Sequence, residues 1–83
     1  MSTADLAQFI RYHKSTGEPH TVTVFVGDTP AQDAYVYDDT VMNRLLVLLP
    51  DEAVLLDVSG GPVTSRLNKI VFNGYCADVF LHA

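Results

Sequence analysis

The sequence predicts a mainly β fold with an N-terminal α-helix, its strands wrapped into a small, strongly bent open barrel of five strands. Three observations carry that expectation. Leu6, Phe9, Ile10 and His13 recur at i, i+3, i+4 and i+7, a helical stripe. Residues 20–27, HTVTVFVG, set Val22, Val24 and Val26 against Thr21, Thr23 and Phe25, the alternation of a strand with one buried face. Near the C-terminus, in IVFNGYCADVFL, two apolar runs flank Asn73-Gly74, the dipeptide that best suits a type I′ hairpin because both central residues then need positive φ.

The helix is expected at about residues 4–14. Ser2-Thr3-Ala4-Asp5 provides an N-cap and an acid in the first turn, Gly17 a left-handed C-terminal residue, and Pro19 a stop. Asp28-Thr29-Pro30 turns the chain, and AYVYD (34–38) is a second strand. TVMNRLLVLLP (40–50) fits either a helix capped by Asp39 or Thr40 or a buried strand, since periodicity does not separate the two in a continuous apolar run. Pro50-Asp51-Glu52 interrupts that run and AVLLDV (53–58) reads as strand. Gly60-Gly61-Pro62 is another turn, and the hairpin closes the chain. So few residues do not fill a sandwich of two full sheets, which is why a bent barrel is preferred.

Composition narrows the function. The chain of 83 residues fits one small domain with a limited core. It is 48% hydrophobic and 18% charged, so it is globular, with more apolar surface than such a core hides; partners are expected to cover part of it. The net charge of −5 argues against a lone nucleic-acid binder, because phosphate contacts require Lys and Arg. Cys76 is the sole cysteine, which excludes an intrachain disulfide and suggests a reducing compartment. MSTADLAQFIRYHK has charges inside its apolar pattern and does not read as a signal peptide, and no apolar run has the length of a membrane span.

Two segments, VYDDTVMNRLL and KIVFNGYCADVFL, together resemble the Sm1 and Sm2 motifs of the Sm and Sm-like (LSm) family. The first holds Asp39-x-x-Met42-Asn43 followed by Leu45 and Leu46; the second holds Asn73-Gly74 between apolar runs. They follow a helix and a Val-rich strand, in the family's order, so the resemblance covers the whole chain: one domain, 1–83, with an Sm1-like region at 20–49 and an Sm2-like region at 67–82. Ile10-Arg11-Tyr12 and RLNKIVFNG are most similar to the E-type branch, which holds the Sm E protein and its LSm counterpart. The resemblance makes 40–43 a loop and RLLVLL a strand. Three positions depart from the pattern: Asp33 stands where a glycine is usual, Asp38 where an aromatic or aliphatic residue is usual, and Val41 where an aromatic residue or His is usual.

The resemblance implies a subunit of a heteroheptameric ring that holds U-rich single-stranded RNA, one nucleotide per subunit, in spliceosomal small nuclear ribonucleoproteins. In the LSm form the target is the U-rich end of U6 RNA. Asn43 would bond the base edge, Asp39 and Met42 would orient the loop, Val41 would lie on the base, and Asn73, Gly74 and Tyr75 would line its other side. Val71, Phe72, Cys76, Val79 and Phe80 would form the subunit interface, where one subunit's fourth strand pairs with its neighbour's fifth. Val41 has no π face and Asn73 no guanidinium, and a stacked base is worth roughly 1–3 kcal/mol, so a weak pocket is expected, with Tyr75 a substitute platform. The partners implied are other Sm or LSm subunits and U-rich snRNA, with no DNA and no membrane; the location implied is the nucleus, with a cytoplasmic pool.

Simpler readings apply to the other chemistry-bearing residues. His13, His20 and His82 lack metal-ligand spacing, with His13 at the border of the helix's buried face. Asp38-Asp39 and Asp51-Glu52 suit turns and caps rather than acid–base catalysis, and Ser59-Gly60-Gly61 lacks the rest of a phosphate loop. Cys76 reads as a packing residue. No enzyme activity, cofactor or metal is expected. The alternatives are a cytoplasmic LSm ring in mRNA decapping and decay, a homomeric Hfq-like RNA chaperone, and a small acidic inhibitor that binds protein by strand addition without RNA.

Overall fold

The structure, a computed structural model, describes residues 2–83. Its first element, α1, spans Thr3–Thr16, longer at both ends than the expected 4–14. The extension follows from its ends. The Ser2 hydroxyl accepts from the Asp5 N–H at 3.2 Å while the Asp5 carboxylate accepts from the Ser2 N–H at 3.0 Å, a reciprocal capping box. Gly17 closes the other end at φ +72°, where a side chain is disfavoured. Leu6, Ala7, Ile10 and His13 are its buried face. Phe9, expected in that stripe, is only half-buried, and Ala7 lies against the core in its stead.

Seven strand segments follow: β1 (Thr21–Val26), β2 (Thr29–Pro30), β3 (Tyr35–Asp39), β4 (Arg44–Leu48), β5 (Ala53–Asp57), β6 (Leu67–Asn73) and β7 (Cys76–Leu81). They form a four-stranded sheet ordered β2-β1-β7-β6 and a three-stranded sheet ordered β3-β4-β5. β1 and β7 run parallel, Thr21 beside Cys76 and Val26 beside Leu81, while the other ladders are antiparallel. The fold is mainly β with one N-terminal helix, but the two sheets do not close into a single five-stranded barrel. Two local events account for the difference. Thr29–Pro30, expected within a turn, pairs with Phe25–Val26 as β2 and adds a strand, while Pro50–Glu52 makes the expected break as a tight hairpin between β4 and β5, closed by the Leu49 N–H on the Glu52 carbonyl at 2.9 Å. The chain also bends between β2 and β3, where Asp33 takes φ +56°. Residues 40–43 are a turn leading straight into β4, so no helix forms there.

The core lies between the sheets and α1. Leu6, Leu45, Val47, Val79 and Leu81 are fully buried, joined by Ile10, Val24, Val54, Leu56 and Ile70. Burial of each such side chain contributes about 1.5–3 kcal/mol.

Candidate functional site

The β3–β4 turn is built around one carboxylate. Asp39, the last residue of β3, pairs across the ladder with Arg44, the first of β4, leaving Thr40, Val41, Met42 and Asn43 to make the turn. Asp39 Oδ1 accepts from the Met42 N–H at 3.2 Å and Oδ2 from Arg44 Nε at 2.9 Å. The Met42 amide, then Arg44, holds the Asp39 carboxyl below the ordinary carboxylate range. Asn43 ends the turn in left-handed conformation, φ +51°, and its carbonyl accepts from the Val58 N–H at 3.2 Å. Asn tolerates that conformation better than most residues. Val41 projects at the tip, 90% exposed, with Met42 beside it.

Asn43 is also tied to the helix. Its Oδ1 accepts from Arg11 Nη1 at 3.3 Å, while Arg11 grips Asp38 with two bonds, Nε to Oδ2 at 2.9 Å and Nη2 to Oδ1 at 2.8 Å. The Asp38 side chain is only 4% exposed, and the fork supplies the hydrogen-bonded partner that a carboxylate out of water requires. The bond to Asp38 in turn raises the Arg11 pKa. Arg11 was not among the residues the sequence offered as a site. The departure at Asp38 was its one signal, because an acid in a strand position that should be apolar needs a cation nearby.

The second expected half of the site lies in the β6–β7 turn, and its register differs from the expectation by one residue. Asn73 pairs with Cys76 as the last residue of β6, so Gly74 and Tyr75 are the central residues. Gly74 has φ +61°, whereas neither Asn73 nor Tyr75 has positive φ. That is the requirement of a type II′ turn, glycine first, and not of the type I′ turn expected for Asn-Gly. Asn73, Gly74 and Tyr75 are all exposed. The Tyr75 carbonyl accepts from the Thr21 N–H at 2.9 Å, and its ring meets the His13 ring edge-on at 5.8 Å. His13 is not at the border of the helix face but buried, its Nδ1 2.7 Å from the Phe9 carbonyl oxygen and its ring stacked on His20 at 5.3 Å. Glu18, Pro19, His20, Thr21, Tyr75 and Cys76 line an open groove there.

Both turns thus touch α1, but through different positions. The β3–β4 turn meets Arg11 and the β6–β7 turn meets His13, about 200° apart around a helix of 3.6 residues per turn. The two halves reach the helix from opposite flanks.

The residues expected at a subunit interface divide. Val79 is fully buried in the chain's own core. Phe72 is half-buried, its ring 5.4 Å from that of Phe9. Phe80 stacks on Phe25 at 4.6 Å. Val71 is exposed, and so is Cys76, which is therefore not a packing residue. Both edges of β7 are already paired, with β1 and with β6, so strand addition has to use an outer strand, β2 or β6 in one sheet and β3 or β5 in the other.

Compared with family models, curated proteins and solved structures, the chain matches none.

Proposed function

We propose that this chain is an RNA-binding subunit of a heteroheptameric ring of the Sm and Sm-like kind, holding U-rich single-stranded RNA in spliceosomal ribonucleoproteins of the nucleus. The observation that carries the reading is the Asp39–Asn43 turn: an asparagine in left-handed conformation, offered by a loop whose backbone an aspartate ties down. Such a turn presents an amide to a base edge, and exposed Val41 and Met42 give it an apolar rim. Val41 and Asn73 offer no flat face, and Tyr75 lies on the other flank of α1 from Asn43, so a base held at this turn is gripped weakly. Acidic as it is, the chain leaves the phosphate contacts to basic neighbours, and the outer strands of the two sheets, β6, β3 and β5 being the long ones, are where those neighbours would join. A cytoplasmic ring acting in mRNA decay would use the same surfaces, and its partners would distinguish it.

A second reading, a small acidic protein-binding module that touches no RNA, is favoured by the Arg11 bond to Asn43 Oδ1, which occupies the amide oxygen a base would need. Native mass spectrometry of complexes recovered through a tag, combined with oligo(U) titration of the assembly, decides between them. Different small subunits with RNA, a modest loss of affinity in Asn43→Ala and a gain in Val41→Phe are expected. A single larger partner without RNA, and titrations indifferent to both variants, would establish the second reading.

A further inference from the structure

The outward face of the β3-β4-β5 sheet carries an uncovered apolar patch that neither turn explains. Cross-strand register sets Tyr35, Leu48 and Ala53 in one row and Tyr37, Leu46 and Leu55 in the next, and the alternation of burial points all six away from the core. Tyr35, Tyr37 and Leu55 are 59%, 52% and 44% exposed. No charge interrupts the two rows. Contiguous apolar surface of this kind on a soluble chain marks an interaction site.

Charge at the ends of the rows identifies what fits. At one end, Asp51 and Glu52 form the β4–β5 turn and Asp33 precedes β3; at the other lies a third row, Asp39, Arg44 and Asp57. The two cations at this border are both engaged, Arg44 with Asp39 and Arg66 with Glu52. The border is therefore net acidic. A second copy packed on this face would set acid against acid, and RNA would bring its phosphates to the same border, so both are disfavoured. Three strands at about 4.8 Å spacing span about 10 Å, the width of one α-helix with its side chains. The geometry points to a docking face for an amphipathic basic helix, its apolar stripe seated on Tyr35, Tyr37, Leu46 and Leu55 and its flanking Lys or Arg residues on the acidic ends. The inference is independent of the RNA reading, since it uses none of Val41, Asn43 or Tyr75.

The probe is a helical Leu/Lys amphipathic peptide, titrated against the full chain by calorimetry, with its Leu/Glu counterpart as control. Binding of the Leu/Lys peptide is expected, weakening as salt is added and lost by roughly tenfold or more in a Tyr37→Ser, Leu55→Ser double variant, as removal of central aromatic and aliphatic anchors implies. Val71→Ser, exposed on β6 in the other sheet, serves as reference and should bind as wild type. Amide shifts of the unaltered chain on peptide addition should concentrate on β3, β4 and β5, which tests the face even where a variant folds poorly. Equal binding of both peptides, absence of binding, or shifts lying elsewhere would overturn the assignment. So would a wild-type dimer that the double variant dissolves, which would give the face to a second copy, or an oligo(U) affinity that the double variant abolishes.

Discussion

Asp33 sits at φ +56°, a conformation that glycine adopts freely and that costs most other residues about 1–2 kcal/mol. Asp33, noted in the sequence as standing where the Sm-like pattern it resembles has Gly, thus sits in a conformation that Gly would meet without strain. After glycine, Asp and Asn are best able to adopt it, because their polar groups can bond locally. Replacing Asp33 with Gly is expected to leave thermal stability unchanged or slightly raised. Replacing it with Val, whose branched side chain resists positive φ, should destabilise by about 1–2 kcal/mol. Paired thermal melts check this, and equal stability of the two variants would mean that the bend between β2 and β3 does not hold in solution.

At the scale of elements, α1 is held by two kinds of contact. Leu6, Ala7 and Ile10 bury apolar surface against the sheets, which any amphipathic helix does. Arg11 adds a polar clamp that joins the helix to the end of β3 at Asp38 and to the β3–β4 turn at Asn43. Arg11→Ala would leave a buried Asp38 carboxylate without its partner, a loss of about 1–3 kcal/mol, placed toward the lower end because the guanidinium is itself partly exposed. Arg11→Lys should recover only part, since an ammonium does not reproduce the two-pronged grip. Urea unfolding of the two variants measures both effects. Asn43 links this clamp to the proposed RNA site, so Arg11→Ala should also change how readily the turn yields its amide to a base.

For the whole molecule, the acidic side chains decide the response to pH. Asp39 is held below the usual carboxylate range by the Met42 amide, Asp5 by the Ser2 amide, Glu52 by the Arg66 side chain and Asp57 by the Ser59 hydroxyl. Each has a lower pKa folded than unfolded, so the unfolded chain takes up protons first on acidification. Their stabilisation is complete above the ordinary carboxylate pKa, about 4, and is lost as pH falls through the lowered folded values. The urea midpoint should therefore drop on the acid side of about pH 4, and Asp39→Asn, which no longer titrates, should make that drop shallower. A slope unchanged by Asp39→Asn would mean that the carboxylate does not keep its bonds to Met42 and Arg44 in solution.

How much of this was legible in the residues depends on the range of the interactions involved. Ser2, Asp5 and Gly17 announced α1, the Thr/Val alternation announced β1, and Pro50-Asp51-Glu52 announced a break, because caps, period and turn residues act over a few neighbours. Asn73-Gly74 announced a hairpin but not its register: Asn73 paired with Cys76, and Gly74 alone took positive φ. Pairing of whole strands overrode the local preference of a dipeptide. Arg11 and Asp38 lie 27 positions apart in the chain, and no local signal joins them. The same holds for the β7 edges, closed by β1 and β6, and for the rows of Tyr35, Tyr37, Leu46 and Leu55, which become one surface only through register. The sequence by itself determined the helix and the β character of most of the rest, since caps, alternation and turn residues act through short-range sterics and hydrogen bonding; periodicity left residues 40–50 open between helix and strand, and the turn that carries Asn43 was expected only from the resemblance. Tertiary structure alone decided the split into two open sheets, the flank of α1 on which each turn lies, and the faces left for partners, because these depend on which distant strands pair and which apolar surfaces that pairing leaves uncovered.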